Sequence, residues 1–287
     1  MINLSVLLFL IVRIFSNPIA NALQKKLAED ISPTVINFYT YAILSLCYIP
    51  YVSKYINLED LSLELIILVL IAGLLCTFGN ICLIKSIHIG ELSVLGPINS
   101  YKSIVGLVIA FILLKETPSL FAIAGILLII FGSKFIFESE AEGFSFKLLK
   151  RKDIQLRILA LILTGAEAAF LKKIIVLSSV ETCFIFWCFM GAFWSALLMV
   201  TSGKKFIIDF KSNMSLLFLI SICIGFMQYS TNYVFENMNV ACALALFQLS
   251  TLITVFLGCK YFEERHLIKK ILGSIIMITG SVIIILY

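Results

Sequence analysis

"EERHLIKKILGSIIMITGS", residues 263–281, repeats with changes a passage already present at 115–133, "KETPSLFAIAGILLIIFGS". At a shift of 148, Glu264 falls on Glu116, Gly273 on Gly125, Ile278 on Ile130, Gly280 on Gly132 and Ser281 on Ser133. The same shift lays "TFGNICLIKSIHIGELSVLGPINSYK" over "GFMQYSTNYVFENMNVACALALFQLS". With one residue less, "NALQKKLAEDISP" lies over "AAFLKKIIVLSSV", and Lys25 and Lys26 meet Lys172 and Lys173. The chain is one unit written twice.

Composition says where that unit lives. With 61% hydrophobic residues, 14% charged and a mean hydropathy of +1.08, a chain of 287 residues has too little polar surface for a soluble globule, whose apolar share is about 45–50%. About 20 apolar residues cross roughly 30 Å of hydrocarbon, and runs this continuous mean helices. Ten are expected, at 4–23, 34–53, 62–84, 92–114, 119–137, 156–176, 182–201, 214–235, 240–259 and 267–286. Each repeat then holds five. Because five is odd, the second repeat enters the membrane from the opposite side, the geometry of alternating-access transporters. The expected fold is an all-α membrane protein of ten transmembrane helices as two inverted five-helix repeats, 1–137 and 156–287, joined by a linker at 138–155.

Other classes fit poorly. A cleaved leader needs a basic segment before its apolar core, whereas Arg13 interrupts the core of the first run. The eight cysteines form no C-x-x-C pair, and His88 and His266 stand outside any H-E-x-x-H setting, so neither a disulfide framework, a metal nor another cofactor is expected. No Walker A run is present, which argues against ATP-driven transport by this chain alone. Most loops are too short for a folded ectodomain, and no nucleic-acid partner is expected. The partners are the bilayer and a small molecule, and function must sit within the membrane.

Gly125 and Gly132, like Gly273 and Gly280, stand seven apart on one helix face, as a close helix-packing seam requires. Glu116 and Glu264 each precede the start of a helix, where the dipole favours an acid, and Thr117–Pro118 reads as an N-cap followed by N1. Arg13, Lys102 and Glu167 lie deep in apolar spans, where a charge costs about 2.5–3.5 kcal/mol on insertion scales. They read either as a buried ion pair, Glu167 with Lys102 or Arg13, or as groups lining a wet chamber.

Polar stripes favour the chamber. In the eighth span Ser221, Gly225, Gln228, Asn232 and Glu236 recur at helical spacing, and Gly73, Thr77, Asn80 and His88 mark the related face of the third. The first adds Arg13, Asn17 and Asn21, with Pro18 freeing a carbonyl one turn back. The fourth adds Asn99, Lys102, Ser103 and Gly106, and the ninth Gln248, Ser250 and Thr251.

Two five-helix repeats, a lysine near the end of each repeat's first helix followed by "SP" or "SS", and a glutamate before a final helix with G-x6-G together resemble the drug/metabolite transporter superfamily, EamA-type branch. The resemblance covers essentially the whole chain. It implies a ten-helix pseudo-twofold bundle with spans one, three, four, six, eight and nine around a central cavity, and secondary transport of small metabolites or drugs. The chain departs from the pattern at Ala245, which stands where the first repeat has Pro97, so no matching kink is expected in the ninth span. Glu167 resembles the membrane glutamate in the first helix of small multidrug and amine carriers, but its counterpart here is Ala20.

The expected function is secondary active export or exchange of a small polar metabolite, amino-acid-like or zwitterionic, in the plasma or inner membrane, with protons as the candidate coupling ion. Arg13 and Lys102 would receive a carboxylate and Glu167 an ammonium, among Asn17, Asn80, Asn99, Gln228, Tyr229, Asn232 and Gln248. One alternative is efflux of an amine or lipophilic cation by Glu167 with Tyr229, Tyr233 and Trp187. An intramembrane enzyme would need a nucleophile and a base within reach, and no motif supplies them.

Orientation sets charge against family. Apart from Arg13 and Lys102, the side shared by the termini carries Lys54, Lys115, Lys172 and Lys173, and the other side carries the remaining sixteen basic residues. The positive-inside rule then puts both termini outside, whereas the resemblance implies that both are inside. We follow the charge count: a reporter fused after Tyr287 is expected to be inactive in the cytoplasm, and cytoplasmic activity would reverse the assignment.

Overall fold

The computed structural model describes residues 3–57, 61–102, 104–105, 119–137, 149–203 and 210–286, and every regular element among them is a helix. Repeat one contributes α1 (Leu4–Leu27), α2 (Pro33–Tyr48, prolonged by a 3-10 turn and a short helix to Tyr55), α3 (Leu63–Ile89), the single turn α4 (Leu92–Leu95) and α5 (Leu120–Phe137). Repeat two contributes α6 (Lys152–Leu177), α7 (Val180–Thr201), α8 (Phe210–Asn237), α9 (Val240–Phe247), α10 (Ser250–Tyr261) and α11 (Leu267–Leu286). Among the described residues eight helices are long and apolar enough to cross a membrane. Gly106, Lys115 to Pro118 and Ser103 lie outside the described residues, as does most of the expected fourth span. Helix α6 begins at Lys152 rather than at 156.

The short polar turns start helices. Ser32 precedes Pro33 at the head of α2, where a missing N–H costs nothing. Ser179 caps α7 by accepting from Thr182 N at 3.1 Å, and Ser62 does the same for α3 from Leu65 N at 3.1 Å. Along the outside of the bundle large apolar side chains are exposed, among them Leu120, Leu127 and Phe131 on α5 and Ile268 and Leu272 on α11. The opposite faces of these two helices carry the paired glycines.

Helices pack across the repeats: α1 on α8, α3 on α6, α2 on α7 and α5 on α11. In the last pair the glycines meet crosswise. A Cβ added at Gly132 would lie 2.7 Å from the Gly273 carbonyl oxygen, and one at Gly125 2.7 Å from that of Gly280. The lower glycine of one helix thus faces the upper glycine of the other, as in an antiparallel contact. Any side chain there must push backbone apart, an overpacking cost of about 1–3 kcal/mol.

The lysines of the repeat motif tie off helix ends. Lys25 Nζ donates to the Gly90 carbonyl at 2.7 Å, just past α3, and Lys172 Nζ donates to the carbonyls of Phe235 and Glu236 at the end of α8. Both sit where unpaired carbonyls concentrate negative charge. Glu264 acts differently from the sequence reading. Instead of serving its own helix, its carboxylate accepts from Leu92 N and Ser93 N, each at 2.7 Å, and pairs with Lys25 at 3.0 Å. Lys270, buried, pairs with Glu91 and donates to Ser93 Oγ at 2.8 Å. These contacts join the two halves at one end of the bundle; its counterpart Glu116 lies outside the described residues.

Burial alone would push the Glu264 carboxyl up, but the Lys25 ammonium and the hydrogen bonds from Ser93 and Lys25 outweigh it and hold Glu264 below the usual carboxylate range. A lowered folded value means that the contribution to stability is fully present above the unfolded value of about 4.3 and is lost as pH falls through the folded one. Thermal unfolding followed from pH 6 to pH 3 is therefore expected to show an acid-side loss of stability in the wild type that is reduced in Glu264→Gln, which starts from a lower midpoint. Parallel curves would show that this carboxylate is not the linked group.

Candidate functional site

Pro97 lacks the N–H that would continue α4, and the chain after Gly96 proceeds as a 3-10 turn, Pro97–Tyr101. Asn99 N bonds Gly96 O at 3.1 Å, which leaves the Leu95 carbonyl open, and Arg157 Nε donates to it at 2.9 Å. The related place in repeat two also breaks, although no proline is there. Between α9 and α10, Gln248 N bonds Ala245 O and Thr251 N bonds Gln248 O, tight three-residue steps in place of helical ones. The expectation of no kink in the ninth span is thus corrected. The two breaks touch, Asn99 Nδ2 donating to Gln248 Oε1 at 3.2 Å.

Beside these breaks lies a cavity of about 100 Å³. Its wall comes from α1 (Arg13, Asn17, Asn21), α3 (Cys76, Asn80), the turn after α4 (Asn99, Lys102), α6 (Arg157, Thr164, Glu167), α7 (Trp187), α8 (Gln228, Thr231, Phe235) and α9 (Leu244, Phe247). Of the ten residues singled out from sequence, Arg13, Asn17, Asn80, Asn99, Lys102, Glu167 and Gln228 line it. Asn232 and Gln248 are buried behind it, Asn232 accepting from Gln228 Nε2 at 2.8 Å and Gln248 holding Asn99. Tyr229 points elsewhere and donates to Glu181 at 3.0 Å. His88 and Glu236, the last members of the two stripes, are exposed at the helix ends.

The charged groups do not neutralise one another. Glu167 Oε1 accepts from Trp187 Nε1 at 2.9 Å; among the described residues no ion pair joins it to Lys102 or Arg13. Arg13 Nε donates to Thr231 Oγ1 at 2.9 Å, its guanidinium lies 4.6 Å from the centre of the Phe247 ring, and its Nη1 is buried without a partner. Lys102 is within electrostatic reach of Arg157, Arg13 and Glu167, and among the described residues it makes no hydrogen bond. The cost of burying these charges is therefore not offset by mutual pairing.

Arg157 was missed by sequence reasoning, because it stands at the very start of the expected sixth span, just after a charged stretch. The only available signal was its distance from Glu167, ten residues on the same helix, since α6 starts earlier than its apolar run. Trp187, read only as an aromatic partner for an amine, fixes the acid. Asn80 Nδ2 donates to Tyr41 OH at 2.5 Å, and Tyr41 OH lies 2.9 Å from Cys76 Sγ. The Tyr41 ring meets Trp187 edge-on at 4.7 Å, so α2, α3, α6 and α7 are locked together around the carboxylate.

This arrangement of two sequence repeats has a match among known families. Residues 4–137 and again 152–286 match the EamA-like transporter family. The chain belongs to the EamA-like transporter family. EamA-like proteins are transporters of small molecules, and this one is an integral, multi-pass membrane protein. Its fold is similar to that of a solved crystal structure, with a TM-score of 0.70 over 97% of this chain and 96% of that one at 13% identity. No curated protein matches the sequence.

Proposed function

We propose that this transporter is a secondary carrier of small zwitterionic, amino-acid-type metabolites in the plasma or inner membrane. It is built from ten transmembrane helices as two inverted five-helix repeats, 1–137 and 156–287, with 138–155 as linker. The crosswise glycine contacts of α5 and α11 support the inverted arrangement, as does the exchange of partners by which α1 packs on α8 while their repeat counterparts α6 and α3 pack together. One observation carries the substrate reading: Arg13, Lys102 and Glu167 face a common cavity without pairing among the described residues. A carboxylate laid against the two cations and an ammonium laid against Glu167 would supply the missing counter-charges. Asn17, Asn80, Asn99 and Gln228 offer amide groups around them.

Alternating access requires that each end of the cavity open in turn. At one end the Lys25–Glu264 and Lys270–Glu91 pairs bridge the repeats; these must separate for that end to open. Glu167, the acid among the described cavity residues, is the carrier for a coupling proton.

The second reading, an amine or lipophilic cation, is favoured by the aromatic surround of Glu167, with Trp187 bonded to it and Tyr41 and Phe184 against Trp187. The cavity's cations oppose it, since a monovalent cation would meet one acid and several like charges. Thermal unfolding of the purified protein against neutral and acidic amino acids, amines and tetraphenylphosphonium separates the two. A ligand at 100 times its Kd adds roughly 2.7 kcal/mol, so amino acids are expected to raise the midpoint. A rise with tetraphenylphosphonium and none with any amino acid would reverse the reading.

A further inference from the structure

Arg157 changes the charge count of the cavity. With Arg13 and Lys102 it makes three cationic side chains lining the cavity, against one carboxylate, Glu167, among the described residues. The remaining polar lining among the described residues is amide, hydroxyl and thiol, from groups such as Asn17, Asn99, Thr164 and Cys76. A neutral zwitterion brings one negative and one positive group, so it would leave the surplus untouched. Buried cations without counter-charge are costly, and the cost is recovered by whatever anion enters.

Arg157 is also held in a manner suited to recognition. Its Nε is occupied by the Leu95 carbonyl at 2.9 Å, an acceptor that exists because Pro97 breaks the helix there. Its two terminal nitrogens make no hydrogen bond among the described residues, and the residue is only 8% exposed. A planar guanidinium fixed at one nitrogen presents the geometry that carboxylates and phosphates fill in a two-pronged way. Arg13 is held in the same fashion, Nε on Thr231 and Nη1 buried without a partner. Two tethered guanidinium groups and Lys102 exceed what one carboxylate needs.

We infer that the preferred substrate carries two anionic groups and one ammonium, as an acidic amino acid does, with Arg157 receiving the second anionic group. This rests on the amino-acid reading above and sharpens it. Glu167 keeps its part, facing the ammonium; a plain dicarboxylate would match the net surplus but bring no cation to Glu167.

The test compares ligands that differ in charge and little else. Binding to the full chain in detergent is measured for L-glutamate and L-glutamine, L-aspartate and L-asparagine, O-phospho-L-serine, and succinate as the analogue without an ammonium. The wild type is expected to bind each acidic member at least about 10-fold more tightly than its amide partner, the scale of one charge-assisted contact, and to bind succinate weakly. In Arg157→Gln that ratio should fall towards one, because the acidic ligands lose more affinity than their amide partners, and Arg157→Lys should restore part of it. Tighter binding of O-phospho-L-serine than of the carboxylates would identify the second group as phosphate and support the two-anion assignment. Equal affinity for L-glutamate and L-glutamine in the wild type would overturn the inference and leave the amino-acid reading standing. Binding of none of these ligands would overturn both. The wild-type ratio needs no variant, so the test holds even if Arg157→Gln fails to fold.

Discussion

In a Lys102→Met protein, substrate binding and uptake fall by about 30-fold or more while the unfolding midpoint holds or rises. The first part follows from losing a buried cation that receives an anionic group, a change of roughly 2–5 kcal/mol. The second follows from the surroundings of Lys102. If it closed a buried ion pair, removing it would strand the partner and destabilise the fold by about 3–5 kcal/mol. Among the described residues it closes none, and of the charges within reach Arg157 and Arg13 repel it while Glu167 attracts it. Met keeps most of the length and removes a charge that the fold does not use. Uptake kinetics and thermal unfolding together decide: normal uptake in a folded protein would remove Lys102 from the site, and a large loss of stability would make it a structural partner.

Replacing Glu167 with Gln has the other large effect. The amide oxygen can still accept from Trp187 Nε1, which sits 2.9 Å from Glu167 Oε1, so the local packing survives. What disappears is a group able to bind a proton or an ammonium in turn. A carrier that moves one proton per substrate can sustain about tenfold accumulation for each unit of pH gradient. Wild-type protein in liposomes is expected to approach that ratio, and Glu167→Gln to level off near one while still exchanging substrate passively. Accumulation by the mutant with the wild-type pH profile would show that the proton goes elsewhere.

Much of the fold can be read from the sequence because it is written in periods. The 148-residue echo, the apolar runs and the G-x6-G pairs are all local signals, and lipid imposes helices on such runs regardless of detail. The cavity wall is partly legible for the same reason: Arg13, Lys102 and Glu167 stand out because charge is rare in apolar spans. Arg157 does not, since it follows the basic stretch "KRKD" and a residue in a charge run reads as solvated. Its role depends on the Leu95 carbonyl, which a single sequence does not connect to it. The break at Gln248 is hidden because neither glycine nor proline marks it, and its contact with Asn99 comes from the other repeat. Glu264 reads as a helix-dipole residue and proves to be a link between repeats for the same reason, its partners Lys25, Leu92 and Ser93 being far away in the chain. Stripes fail where helices end: His88 and Glu236 keep the spacing of Asn80 and Asn232 but have passed beyond the packed bundle.

The central claim is that an amino-acid-type zwitterion crosses through the Arg13, Lys102 and Glu167 cavity without ATP. Counterflow tests it most directly. Liposomes containing the purified protein are loaded with a mixture of unlabelled neutral and acidic amino acids, then diluted into a trace of the same mixture carrying label, with no nucleotide present. Label is expected to enter against its own gradient in a transient overshoot that is absent from protein-free liposomes and strongly reduced in Lys102→Met. Label that equilibrates at the protein-free rate would contradict the account.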